Sequence, residues 1–483
     1  MSNKLIFLVI AGFFAAACSD SNSNRDPGPD PVLFDDTLTV GPITGFGSVI
    51  VNGKTYSTDG ASVFMDDEVA TVDQLRIGMV ITIRARINTR TAAAHAMQIR
   101  FANEAEGPIS SIDADAGTFV VLGRTVLVDE LTEFEDATLD SLAAGNVVHV
   151  SGQWRSQERI QATHVHRIAN AYAAGMKMQV KGEIEDLDVG QQRFRIGTQW
   201  CDYSTATIEL GGEDIANGLF VEVSSTAPMA GGDMILDRIQ ARDRDRDRDR
   251  LCDSDCEFEL EGFITEFVSA TEFFVDGQPV TTTDATTFVN GSIDSLTLDA
   301  RVAVDGALDD AGVLVADRIV FRLPSLVEIE ADIEALDTGT ESLTLLGISV
   351  ATDEFTMYCD HSDTSEPMFG FDHLAIGDRT DVRAYLDADA VVASKIERED
   401  ADDDVTLKSL VEAVAEPSIT MLGVMVTADD ETVFQNEAKE VVDAATFFTL
   451  VEVGSIVKAE GTYDGTSVLA DSMFIRDCEE QCL

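Results

Sequence analysis

Three of the six histidines, His149, His164 and His166, stand close together in the sequence. Imidazole is a common ligand for zinc and other transition metals. His164 and His166 are two apart, so a strand places both on one face, with His149 opposite on the preceding strand. A three-imidazole metal site is therefore geometrically open. Yet no carboxylate in the sequence can be named to orient the rings, and no other segment repeats the trio. A solvated strand face is the simpler expectation. A second group of reactive types is CDHSDTSEPMFGFDH (359–373), with Cys359, His361, Asp363, Phe369, Phe371 and His373. An insertion carrying aromatic and polar side chains can hold a ligand, although a surface loop is the plainer reading. These two clusters define the alternative function, an enzyme or metal-handling protein.

Seven cysteines are present. Cys18 lies apart from Cys201, Cys252, Cys256, Cys359, Cys478 and Cys482, and an even number in an exported chain favours disulfides of unassigned connectivity. CDSDC (252–256) and CEEQC (478–482) lack zinc-finger spacing and matching His pairs. Asp113-Ala-Asp115-Ala-Gly117 has the look of half a calcium loop, but the corresponding stretches DLDVG (186–190), LDTGTE (336–341) and VSATE (268–272) keep the position and lose the ligands. The expectation there is a hairpin turn. Gly53-Lys54-Thr55 ends like a phosphate-binding loop, but the required upstream glycine is missing, since position 48 is Ser. No G-x-S-x-G, H-E-x-x-H or G-x-G-x-x-G occurs. We assign no catalytic residue, metal ligand or cofactor.

The elements that must position these residues repeat. Gly41-Pro42-Ile43 recurs as Gly107-Pro108-Ile109, Gly182-Glu183-Ile184 and Gly262-Phe263-Ile264, weakening to Ala331-Asp332-Ile333 and Val411-Glu412-Ala413. An alternating apolar segment ending in glycine follows each: VIVNG, FVVLG, FRIG, FFVDG, LTLLG and ITMLG. Later come Leu75/Gly78, Leu142/Gly145, Ile215/Gly218, Leu296/Asp299, Leu374/Gly377 and Val451/Gly454, marking a short helical turn closed by a left-handed residue. Two further strands complete each copy, and 19 to 21 residues separate the helical apolar residue from the last strand's first mark, Ala94, Ala162, Leu236, Ala316, Ala393 or Ala470.

Period-2 alternation with Gly- and Asp-rich turns predicts strands. Five strands with a helix between the third and fourth is the layout of an OB-type barrel. The predicted fold is all-β: six tandem small OB-like five-stranded barrels, each with one short helical turn. The boundaries are 38–102, 103–170, 176–241, 256–323, 326–400 and 404–477, with RDRDRDRDR in a linker (242–255) and a C-terminal Cys tail (478–483). Barrels this small are marginal alone, so neighbouring copies are expected to pack together.

This pattern resembles the bacterial domain-of-unknown-function family numbered 5666, which occurs as tandem copies in exported lipoproteins, over roughly residues 38 to 476. The resemblance implies an extracytoplasmic β-rich repeat protein and brings no activity with it. The N-terminus agrees. Lys4 precedes the apolar run Leu5–Ala17, too short to span a bilayer but suited to a signal peptide (1–17). Ala15-Ala16-Ala17-Cys18 resembles a lipobox, which implies diacylglycerol on Cys18, a tether over 18–37, and, with Ser19, outer-membrane sorting. The 88 acidic against 33 basic side chains, net −55, disfavour nucleic acid, which needs Lys and Arg to displace counterions. We expect a cell-envelope protein held by its lipid, with a binding or spacer role toward an envelope protein, a glycan or divalent cations.

Overall fold

A computed structural model of the chain describes residues 34–241 and 256–476, apart from 364, 365, 367, 368 and 389. The signal peptide, Cys18, Cys252, Cys478, Cys482, the Arg-Asp linker and the C-terminal tail lie outside the described residues. In barrel 1 the first strand is Phe34–Gly45, the second Val49–Val51, and the third Lys54–Ser57, resumed at Ser62–Met65. The fourth is Val80–Asn88 and the fifth Ala94–Phe101. Ile81, Ile83 and Ala85 alternate inward with Thr82 and Arg84 outward, so the fourth strand buries one face. Antiparallel pairs join one to two, two to three, one to four and four to five. The third strand then closes on the fifth in parallel, Tyr56 opposite Ala94 and Ser62 opposite Gln98.

That parallel seam returns in every copy, as Val126 opposite Ile160, Cys201 opposite Met234, Val280 opposite Leu314, Val350 opposite Val391 and Val426 opposite Val468. The chain is thus a tandem array of small closed five-stranded barrels, as the alternation predicts. The first strand starts at Phe34 rather than 38, because Phe34 to Thr37 already pair with Asn88 to Ala85.

The marks that made the repeat visible are one physical device. The amide of Gly78 donates to the carbonyl of Ile43, and the amide of Ile43 donates to the carbonyl of Met79, at 2.8 and 2.9 Å. The same two-bond clamp joins Gly145 to Ile109, Gly218 to Ile184, Asp299 to Ile264, Gly377 to Ile333 and Gly454 to Val411. Each donor turns left-handed, with φ +80° at Gly78 and +71° at Asp299, which is why glycine holds five of the six positions. In copy six the counterpart of Ile43 is Val411, so its opening is Ser409-Leu410-Val411, two residues before the alignment read from sequence. The turn preceding the clamp is a short 3-10 helix at Val72–Gln74, Leu139–Ser141, Ile293–Ser295 and Phe371–His373. In barrel 6 it is an α-helix, Ala444–Leu450. Barrel 3 departs from expectation. Gly211 and Gly212, both at positive φ, make a helix costly there, and turns alone fill the stretch.

Closure leaves one exposed strand edge per barrel, the N-terminal half of the first strand, and an unpaired edge is a liability. The barrels cover these edges with one another. Glu106 and Ala105 of barrel 2 pair with Gln179 and Val180 of barrel 3, and Glu328–Glu330 of barrel 5 pair with Thr406–Lys408 of barrel 6. Barrel 1 does not pair with its neighbour. Its Thr37–Val40 run parallel to Glu257–Leu260 of barrel 4. Barrel 2 also bonds to the other four. Val80 of barrel 1 donates to Ser151 Oγ at 2.8 Å, and Gln153 Nε2 donates to the Glu261 carbonyl of barrel 4 at 2.9 Å. Glu133 meets Lys395 of barrel 5, and Glu130 meets Lys408 of barrel 6. The barrels are therefore not beads on a string; they gather around the second.

Candidate functional site

The densest ionisable chemistry lies where barrel 2 covers the sheet shared by barrels 5 and 6. Five strands cross this seam side by side: Ala390–Glu399, Arg379–Asp387, Val327–Asp332, Val405–Ala415 and Ile456–Tyr463. Their core side holds Ile396, Val382, Ile329, Leu407 and Val457, all fully buried. With period 2, the other side collects the polar residues in register. Lys395 stands opposite Arg383, Arg383 opposite Glu328, Glu328 opposite Lys408, and Lys408 opposite Lys458. Two residues along, a parallel row reads Glu397, Asp381, Glu330, Thr406, Glu460. A mostly basic row thus lies beside a mostly acidic one.

Barrel 2 docks on the basic row through the segment after its third strand. Glu133 reaches Lys395, and Lys395 also lies 2.8 Å from Glu397. His361, from the copy-five insertion, places Nε2 3.4 Å from Glu133 and Nδ1 3.3 Å from Glu397 and 3.4 Å from Glu399. The Cys359 thiol donates to Glu133 at 3.3 Å. Burial pushes Glu133 upward, but Lys395 and His361 outweigh it and hold the carboxyl at about 2. His361 moves the other way, raised to about 10 by its bonds to Glu133 and Glu399 against the effect of burial. Burial, reinforced by Glu133, pushes the Cys359 thiol far above its usual range, so it is no nucleophile at neutral pH. In the second row burial lifts Asp381 to about 7, with Glu328, Glu397 and Glu330 adding to it against Arg383.

Glu133, His361 and Glu397 are, among the described residues, the one group of three metal-ligand types whose ligand atoms all lie within 4.8 Å of one another. The cation at that point is already supplied. The Lys395 ammonium bridges both carboxylates, with its side chain 4% exposed. The arrangement is a buried ion network holding two barrels in register.

His361 tests it directly. Its folded pKa is raised above the ordinary 6.5, so its contribution to stability is complete below about pH 6.5 and is lost as pH rises through 10. In an NMR titration its imidazole is expected to stay charged at pH 7 and to titrate near 10. In Glu133→Gln the midpoint is expected to fall back toward 6.5. A midpoint near 6.5 in the native chain would refute the network.

The sequence candidates separate. Cys359 and His361 do converge, but onto Glu133 of another barrel rather than onto His373, whose ring lies tilted against Phe369 with centroids 6.2 Å apart. Phe369 and Phe371 fill the core of barrel 5, so the aromatic part of the insertion is a plug. Asp363 donates its amide to Asp400. His149 and His166 are direct cross-strand partners with rings 5.8 Å apart. His149 faces Glu106 at 3.3 Å and His166 faces Asp136 at 3.3 Å. His164 is buried, contrary to the solvated face expected, because the Gly78 turn of barrel 1 lies against it; a Cβ on Gly78 would sit 2.1 Å from the Thr163 carbonyl oxygen. Burial drops its pKa to about 4. The carboxylate that sequence could not name is Glu135, 3.6 Å from His164 and 3.7 Å from His166, brought alongside by the parallel pairing of Glu133–Glu135 with His164–His166.

Cys201 and Cys359 are free, buried thiols, which corrects the disulfide expectation for both. Cys201 sits in the core that barrels 2 and 3 form, and Cys359 lies on the outer face of barrel 5, against Glu133 of barrel 2. Cys256 is disulfide-bonded. Asp113-Ala-Asp115-Ala-Gly117 is a hairpin turn, with Ala116 donating to Asp113 Oδ1. Gly53-Lys54-Thr55 is also a hairpin, and Lys54 pairs with Glu259 of barrel 4.

Sequence reasoning missed Glu133, Arg383, Lys395, Lys408 and Lys458. A signal was present. DVRAY, ASKIE, TLKSL and IVKAE each set a basic residue in the middle of an apolar strand, which is unusual in so acidic a chain.

The profile of the domain of unknown function numbered 5666 (DUF5666) matches residues 40–95, 106–166, 261–320, 330–397 and 410–473. No curated protein matches the chain. No helix among the described residues is long and apolar enough to cross a membrane. The five matched segments take up more than half of the sequence and coincide with five of the closed barrels, and the chain belongs to the DUF5666 family.

Proposed function

We propose that this chain is a lipid-anchored protein of the bacterial cell envelope, made of six DUF5666 barrels, whose role is binding or structural rather than catalytic. The observation that carries the reading is the position of barrel 2, bonded to each of the other five. The polar side chains buried at those junctions are engaged in holding barrels together, which leaves the acidic outer faces to meet partners. The sixth copy is residues 178–241, which lie outside the matched segments but carry the same parallel seam and the same clamp. An envelope protein, a glycan or divalent cations suit faces of this charge. Ala15-Ala16-Ala17-Cys18 supports the anchor, and Ser19 supports the outer membrane as its place.

Cys18→Ala is expected to move the protein from the membrane fraction to the soluble fraction of lysed cells. Undiminished retention in the membranes would end the anchoring part of the reading. Cross-linking in intact envelopes, followed by pull-down, is expected to recover a defined envelope partner; recovery of none would count against the binding role.

A further inference from the structure

A cavity of about 400 Å³ opens where barrels 2, 5 and 6 meet, beside the ion network. We infer that it is a binding site for a small organic anion carrying carboxylate or phosphate groups. Its floor is the basic row. Glu328 is shared between Arg383 at 2.7 Å and Lys458 at 3.0 Å, and its remaining cross-strand neighbour is Lys408. One carboxylate of the row therefore faces three cations. Glu130 of barrel 2 answers Lys408, while Asp381, 2.9 Å from Arg383, and Glu460, 3.4 Å from Lys458, lie in the neighbouring row and do not line the cavity. The Nε of Arg383 is buried without a hydrogen-bond partner, a donor that an anionic oxygen would satisfy.

The rim adds to this. Arg476 makes no ion pair among the described residues; its guanidinium carbon lies 5.2 Å from the ring of Phe474. Lys439 pairs with Asp115 of barrel 2 at 2.8 Å, with the two side chains 56% and 90% exposed. A pair so exposed contributes little, and Lys439 can turn to a ligand at small cost. In all, the lining holds five cations against four carboxylates, in a chain with 88 acidic and 33 basic side chains.

Position and charge together set the ligand class. The field of a chain at net −55 repels large polyanions before contact, while a small anion enclosed in the cavity meets Arg and Lys donors at short range. Asp115 and Glu437, which also line the cavity, accept hydrogen bonds from hydroxyl groups, so a hydroxylated skeleton fits better than a bare ion. The inference does not depend on the envelope reading and is tested on the purified chain.

The experiment is calorimetric titration with citrate, glucose 6-phosphate, inorganic phosphate and spermidine. Saturable binding at one site is expected for citrate or for glucose 6-phosphate, and whichever responds assigns the carboxylate or the phosphate class. Arg476→Ala and Lys439→Ala, at the rim, are each expected to weaken that binding roughly tenfold, the loss of one charge-assisted hydrogen bond. Their thermal unfolding is recorded alongside to establish that both variants fold. The inference is overturned if neither organic anion gives saturable heat, if both folded variants bind as the parent does, or if spermidine binds at this site in their place.

Discussion

Replacing Glu133 by alanine is expected to cost roughly 3 kcal/mol of stability, the scale for breaking one partner out of a buried ion pair. Both side chains are deeply buried at the junction, Glu133 at 7% and Lys395 at 4% exposure. Truncation leaves the Lys395 ammonium with Glu397 alone, and Glu397 also shares the His361 imidazolium with Glu399. The buried ammonium, bridged by two carboxylates in the parent and by one in the variant, then has to draw in water by opening the contact between barrels 2 and 5. The chain carries two tryptophans. Trp154 in barrel 2 is buried with the Arg124 guanidinium over its ring, and Trp200 lies in barrel 3 under Arg193, so urea unfolding followed by fluorescence reads barrels 2 and 3. The double variant Glu133→Gln/Lys395→Met is expected to recover most of the loss. Replacing both partners removes the charge together with its need for compensation, and a buried pair is often no more stabilising than apolar side chains of the same size. A single variant with an unchanged midpoint, or a double variant worse than Glu133→Ala, would mean that the network does not hold these barrels.

The same junction marks where sequence stops being informative. Each barrel was legible because its own contacts are local and repeated. Ile43 and Gly78 clamp within one copy, and so do Ile264 and Asp299, so the spacing between such residues records a fixed geometry. Copy six was misaligned by two residues because Val411 performs the duty of Ile43 without the Gly-Pro flank. Which barrel joins which was not legible. Thr37–Val40 pair with Glu257–Leu260 through main-chain bonds, and main-chain bonds leave no trace in residue type. The ion network falls between these cases. Glu133 and Lys395 look like outward-facing strand residues, since their own barrels do point them outward. Their burial comes from a second barrel laid over them, and period-2 alternation in one strand carries no record of that. The histidines were placed on the right face and given the wrong surroundings for the same reason, since His164 is covered by barrel 1.

Phe447→Ala is expected to cost about 3–5 kcal/mol, the range for truncating a fully buried phenylalanine, and to unfold barrel 6 first. In four other barrels a short helical turn delivers one buried leucine to the barrel end, Leu75, Leu142, Leu296 or Leu374. Barrel 6 has the smaller Val451 at that position. Its helix Ala444–Leu450, capped by Asp443 accepting from the Thr446 amide at 2.8 Å, is long enough to add Phe447 one turn earlier. Phe447 is fully buried and packs on Phe434 and Phe448 with ring centroids 4.9 and 5.5 Å away. A cavity left there lies against a valine too short to fill it, and the surroundings are pinned by the clamp at Val411 and Gly454, so collapse is limited and the cost falls in the upper part of the range. Both tryptophans lie outside barrel 6, so fluorescence should register little at the first transition. Hydrogen exchange should show Val424–Gln435 and Ser467–Arg476 losing protection together. Barrel 6 shares a sheet with barrel 5 through Thr406–Lys408, so protection at Glu328–Glu330 should fall next, ahead of any change in barrel 1. If all six barrels instead lose protection in one step, the barrels unfold as a single unit and the ordered sequence is wrong. If Phe447→Ala leaves barrel 6 as protected as before, the extra helical turn is not what closes its end.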